Sequence, residues 1–197
     1  MRILHESETG QSPAEMVGGL LKRVHSVLGS GDPWRELRER WSAEMLETLP
    51  GMRQQVAESP DPLGRALLLS ARCNVFANEI LQSKAIREDL RKLGMRAGDV
   101  ADTEFVHDER NSLDRIVSGA SRLLFIHDTA PELPADLVLL EQLKKARPGL
   151  QITSVLCESP MLLKACQEDA DRVDLVGEQG ADDLFTSPGE SLGLLPD

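Results

Sequence analysis

The chain has 197 residues, 41% of them hydrophobic, enough to bury the core of one domain or of one domain with a helical appendage. Its formal net charge of -11 and pI near 4.9 exclude a nucleic-acid backbone and an anionic membrane surface as partners, since both repel an acidic protein at long range. Three widely spaced cysteines, Cys73, Cys157 and Cys166, make neither a disulfide framework nor a paired metal motif, so a reducing, cytoplasmic setting is expected.

Met1 to Gly10 is too polar for a signal peptide, and no apolar run approaches the ~20 residues that span a bilayer. Ser12 and Pro13 start a helix, with serine as cap, proline at the first position and Glu15 in the first turn. Met16, Leu20, Leu21, Val24 and Leu28 continue it at helical spacing to the stop at Gly29. Asp32 and Pro33 repeat the start signal. Trp34, Leu37, Trp41, Met45 and Leu46 then form a second stripe with both tryptophans as core anchors, broken at Pro50 and Gly51. A short helix over Met52 to Glu58 follows. From Leu63 to Leu81 the chain is apolar nearly all round, the mark of a buried helix.

Charges return at Lys84 to Arg96, and the pattern changes near Gly94 to Asp102. The expected organisation is a helical part over 1–97 and an α/β part over 98–197 with an acidic C-terminal tail. Asp108 to Gly119 reads as a helix leading into a strand at Leu123 to Ile126. Asp136 to Ala146 is a helix carrying Leu137, Leu140 and Leu143, and Gln151 to Leu156 is a second strand. Pro160 to Asp169 is expected as a helix and Val173 to Val176 as a third strand, with no further strand beyond Gly177. Alternating strands and helices require parallel strands with right-handed crossovers. Ligands in such sheets bind beyond the carboxyl ends of the strands, which places His127, Asp128 and Thr129 where chemistry would occur.

Four stretches carry a resemblance in order and spacing: Gly31 to Trp41, Leu49 to Asn74, Ala120 to Asp136, and Pro160 to Ala170. Together they resemble the metal-dependent damage-control phosphatases, the acidic-residue methyltransferase-like family long catalogued as a domain of unknown function. The resemblance implies an α/β fold, a helical N-terminal part beside a Rossmann-like three-layer α/β/α parallel sheet. It also implies hydrolysis of small phosphorylated metabolites such as sugar phosphates with Mn, Co, Ni or Mg. A metal at the strand ends would neutralise phosphate charge and activate water.

The family's strand-end motif is an Asp-Asn pair followed by Ala-Gly-Glu and a further Asp. Asp128, Ala130, Glu132 and Asp136 keep it, while Thr129 replaces the asparagine and Pro131 the glycine. Leu163 and Lys164 stand where a second Asn-Asp ligand pair should be, so a cation replaces a metal-binding carboxylate. On the buried helix only Asn74 survives from the family's Gly-Asn motif, Ala77 replaces its aspartate, and Cys157 replaces the usual basic residue after the second strand. Family features expected at both ends, an initial cysteine pair and later strands with a lysine motif, are not found.

Asp128 is thus a remnant metal ligand and candidate catalytic residue, or a cap. Asn74, Thr129, Glu132, Asp136 and Lys164 are candidate substrate contacts, although acids at a helix start also serve its dipole. Lys164 could pair with Asp128 as an internal cation or be a solvated helix lysine. The expected function is a catalytically impaired family member binding a phosphorylated metabolite or a protein partner. Alternatives are an active metal-dependent phosphatase and a homo-oligomeric interaction protein that covers an exposed sheet edge.

Overall fold

A computed structural model of the chain describes residues 13–29, 32–74 and 107–187. The expected extension of the buried helix over 75–81, the junction near 94–102 and the tail beyond Ser187 lie outside the described residues. The elements are α1 (Pro13–Leu28), α2 (Arg35–Glu58), α3 (Pro62–Cys73), α4 (Arg110–Gly119), β1 (Arg122–Ile126), a 3-10 turn (Ala130–Glu132), α5 (Leu133–Ala146), β2 (Gln151–Cys157), α6 (Gln167–Arg172) and β3 (Asp183–Ser187).

The described strands form a parallel sheet in the order β1-β2-β3. Side chains alternate across it. Ile152, Ser154 and Leu156 of β2 are buried beneath α5, while Thr153, Val155 and Cys157 face the other way. Helix α5 is the centre of the molecule. Every residue from Leu133 to Leu143 is buried, because α2 and α3 cover the side of α5 that the sheet does not. One continuous apolar cluster therefore runs from Trp41 and Met45 of α2 through Leu69 of α3 and Leu140 of α5 to Ile152 of β2 and Ala181.

Four expectations are corrected. The break at Pro50 does not occur: α2 continues from Arg35 to Glu58 with Pro50 inside it. The ring removes the bond to the Leu46 carbonyl, at a cost of about 3 kcal/mol in a free helix. Burial of Trp41, Met45, Leu49, Met52 and Val56 along one face outweighs that cost. Trp34 is no core anchor. It precedes α2, half-buried, with its ring 5.4 Å from that of His25.

The helix expected over Pro160 to Asp169 shrinks to α6, Gln167–Arg172. Leu162 takes a left-handed φ of 55°, and the following residues run extended into pairings with the end of β1. The third strand lies at Asp183–Ser187 instead of Val173 to Val176. Asp174 has φ 51°, which bends that segment out of strand geometry while Val173 and Leu175 still bury. Helix α1 buries Leu21 but leaves Met16, Leu20 and Leu28 exposed.

The outer face of the sheet carries an apolar row, Ile126, Val155 and Phe185, in cross-strand register. Ile126 is 72% and Phe185 56% exposed, and neighbouring Leu124 is 62% exposed, unusual for a parallel sheet, whose faces are ordinarily both covered.

Replacing Pro50 by alanine restores the missing helical bond without touching the core, since Pro50 is exposed. Stability is expected to rise by about 1 to 2 kcal/mol, part of the gain being offset by the freer unfolded chain. Urea unfolding of the two proteins checks it.

Candidate functional site

The strand-end site is built by backbone pairing. After β1 the chain leaves the sheet at His127, whose N–H still donates to Val155 O at 3.0 Å. The next three residues zip against the segment before α6. Ala165 N donates to Asp128 O at 3.0 Å and Ala130 N donates to Leu163 O at 2.8 Å, which sets Thr129 opposite Lys164 in an antiparallel bridge. Cys157 N donates to Ala165 O at 2.9 Å and brings the end of β2 to the same place. This geometry delivers the Lys164 ammonium onto Asp128 Oδ1 as a direct ion pair. Both side chains stay about one-third exposed, so the pair faces solvent.

Beneath the pair lies a buried polar layer. His127 has Nδ1 at 2.8 Å from Asp136 Oδ2 and Nε2 at 2.9 Å from Ser154 Oγ. Ser70 of α3 donates to Asp136 Oδ1 at 2.7 Å. Ser154, His127 and Asp136 follow the order of a hydrolytic triad. Ser154 is wholly buried, however, so its oxygen has no access to a substrate. The chain of hydrogen bonds is a tie between β1, β2, α3 and α5. Ser154 and Ser70 escape a reading of the residues alone, because a serine in a strand or helix gives no signal of what it faces.

Thr129 and Glu132 are also turned inward. The Thr129 hydroxyl donates to Glu132 Oε1 at 2.8 Å, and both residues are buried. Burial pushes the Glu132 carboxyl up to about 8; the Thr129 hydrogen bond and Lys164 oppose the shift, and Asp136 and Asp128 add to it. Glu132 therefore holds a proton at neutral pH. Asn74 ends α3 with its side chain exposed and makes no hydrogen bond to Asp128, Thr129, Glu132, Asp136 or Lys164. The structure brings together Asp128 with Lys164, Thr129 with Glu132, and Asp136 with His127.

Burial raises the pKa of all three thiols. Cys157, half-buried beside Lys164 and Asp128, has its pKa raised by burial against the pull of Lys164. Burial and the Asp169 carboxylate push Cys166 up to about 11, and burial pushes the Cys73 thiol well above its ordinary value. All three are free thiols.

The fold and site define the class: an α/β protein with a helical part packed on a parallel sheet and a cluster of polar side chains at its strand ends. Residues 1–185 match the Damage-control phosphatase ARMT1-like domain, and the chain belongs to that family. It is 27% identical over 204 residues to a damage-control phosphatase of Archaeoglobus fulgidus, an alignment covering 100% of this chain and 66% of the relative. Its fold is similar to that of a DUF89 family protein from Pyrococcus horikoshii, with a TM-score of 0.72 at 18% identity, covering 98% of this chain and 63% of the other. The chain thus spans slightly less than two thirds of the length of each. No helix among the described residues is long and apolar enough to cross a membrane.

The family implies a divalent metal, and the residues at the strand ends do not fit one. The Asp128 carboxylate is engaged by an ammonium, and Glu132 is turned inward onto the Thr129 hydroxyl. A divalent ion about 4 Å from the ammonium would meet a repulsion on the order of 8 kcal/mol at an effective dielectric of about 20. No group of three or more His, Cys, Asp or Glu side chains that could hold a metal occurs among the described residues.

The raised Glu132 value has a consequence for stability. Because it lies above the ordinary 4.5, the group's contribution is fully present below pH 4.5 and is lost as pH rises toward 8. Glu132→Gln keeps the Thr129 hydrogen bond without the ionisation. Between pH 5 and 8.5 the parent protein is expected to lose on the order of 1 to 3 kcal/mol that the variant does not lose, as measured by urea unfolding in EDTA.

Proposed function

We propose that this chain is a divergent, catalytically impaired damage-control-phosphatase-like protein that binds a small phosphorylated metabolite at the strand ends beside Asp128 and Lys164. The observation that carries the reading is the ion pair between these two residues at the strand ends. Asp128, the residue that resembles the family's metal ligand, is held by a cation of the chain itself. Hydrolysis that depends on a metal at that carboxylate is thereby impaired, while the ammonium remains a phosphate-binding group. Lys164 is the contact to the phosphoryl oxygens. Thr129, Glu132 and Asp136, hydrogen-bonded inward, shape the floor, and Asn74 is a more distant candidate contact. Three free thiols suit a reducing, cytoplasmic setting.

The test is turnover. Purified protein is expected to hydrolyse neither p-nitrophenyl phosphate nor a sugar-phosphate panel above background with Mn, Co, Ni or Mg. Metal-stimulated turnover that disappears in Asp128→Ala overturns the impairment.

A second reading, association with another copy of this chain, is favoured by the exposed row Ile126, Val155 and Phe185. Sedimentation equilibrium at micromolar protein is expected to give a mass above the monomer that falls to the monomer in Ile126→Glu. A monomeric parent protein removes this reading and leaves the first intact.

A further inference from the structure

Resting on the phosphorylated-ligand reading, we propose that the Lys164 ammonium is the resident cation of this solvent-facing strand-end cluster, so that a phosphoryl group binds there without a divalent metal by displacing Asp128. The lysine is held in place by the chain. Its residue is bridged to Thr129, with the flanking bonds from Ala130 to Leu163 and from Ala165 to Asp128 on either side. That is unlike a lysine on a free helix surface, whose stem is unconstrained.

The ammonium has three donors, and Asp128 Oδ1 accepts one of them. Its side chain is 31% exposed and that of Asp128 35%, so an anion in solvent can reach both. The other carboxylates of the site do not compete for the lysine: Glu132 accepts from Thr129, and Asp136 accepts from Ser70 and faces His127. An ion pair this exposed contributes little net free energy. A phosphoryl dianion carries more charge than a carboxylate and can therefore take its place on the same ammonium.

This exchange reverses the role of the aspartate. In a metal-held site the carboxylate supports phosphate binding through the ion. Here Asp128 is the ligand's competitor, so removing its charge strengthens binding.

The experiment is a titration of the full chain with inorganic phosphate, followed by phosphorus NMR in EDTA. Binding is expected to persist in EDTA, to tighten up to about fivefold in Asp128→Asn, and to weaken about tenfold or more in Lys164→Met. Thermal melts establish that each variant folds; if Lys164→Met does not, the sign of the Asp128→Asn change still decides. Binding that requires Mn or Mg, or weaker binding in folded Asp128→Asn, overturns the inference while leaving the ligand reading intact. Failure to bind phosphate with or without metal overturns both.

Discussion

The structure depends on what His127 touches. Its ring is the meeting point of Ser154 from β2 and Asp136 from α5, and Asp136 in turn receives Ser70 from α3. A polar ring in the core is tolerated only when both nitrogens find partners, since an unpaired buried group costs about 1 to 3 kcal/mol. Satisfying both nitrogens fixes the spacing of a strand pair, the helix that crosses it and the helix packed on top. The end of β1 is thereby locked immediately before the residue that resembles the family's metal ligand.

Above that lock the backbone pairing of Asp128 to Ala130 with Leu163 to Ala165 decides which side chains meet at the strand ends. The residue placed opposite Thr129 has its side chain at Asp128. That residue is a lysine, and its ammonium pairs with the carboxylate there.

Buried charges also join the helical part to the α/β part. Arg38 of α2 reaches Asp169 of α6 at 3.3 Å and Asp32 at 2.7 Å, and Arg53 of α2 holds the buried Glu141 of α5 at 2.6 Å. Such pairs give less net stability than their Coulomb energy suggests, but breaking one strands a buried charge, so they specify how α2 lies on its neighbours. The apolar cluster supplies the bulk of the adhesion, and the outer face of the sheet takes no part in it.

Residues alone were sufficient for α4, β1, β2 and most of α5, because their periodicity is local and each is bounded by glycine, proline or a charge. They were also sufficient to place Asp128 just past a strand end and to raise a pairing of Lys164 with Asp128 as one of two alternatives. The sequence misled at Pro50, where a local penalty is outweighed by contacts with helices far along the chain. It misled again at β3, because Asp183 to Ser187 is short, acidic at its start and half exposed, and its strand character comes from pairing with β2. Which group Lys164 meets, and that Ser154 and Ser70 complete the environment of His127, was decided only by the tertiary structure. Those contacts join residues 36, 27 and 66 positions apart, and no local pattern records a hydrogen bond made across such a distance.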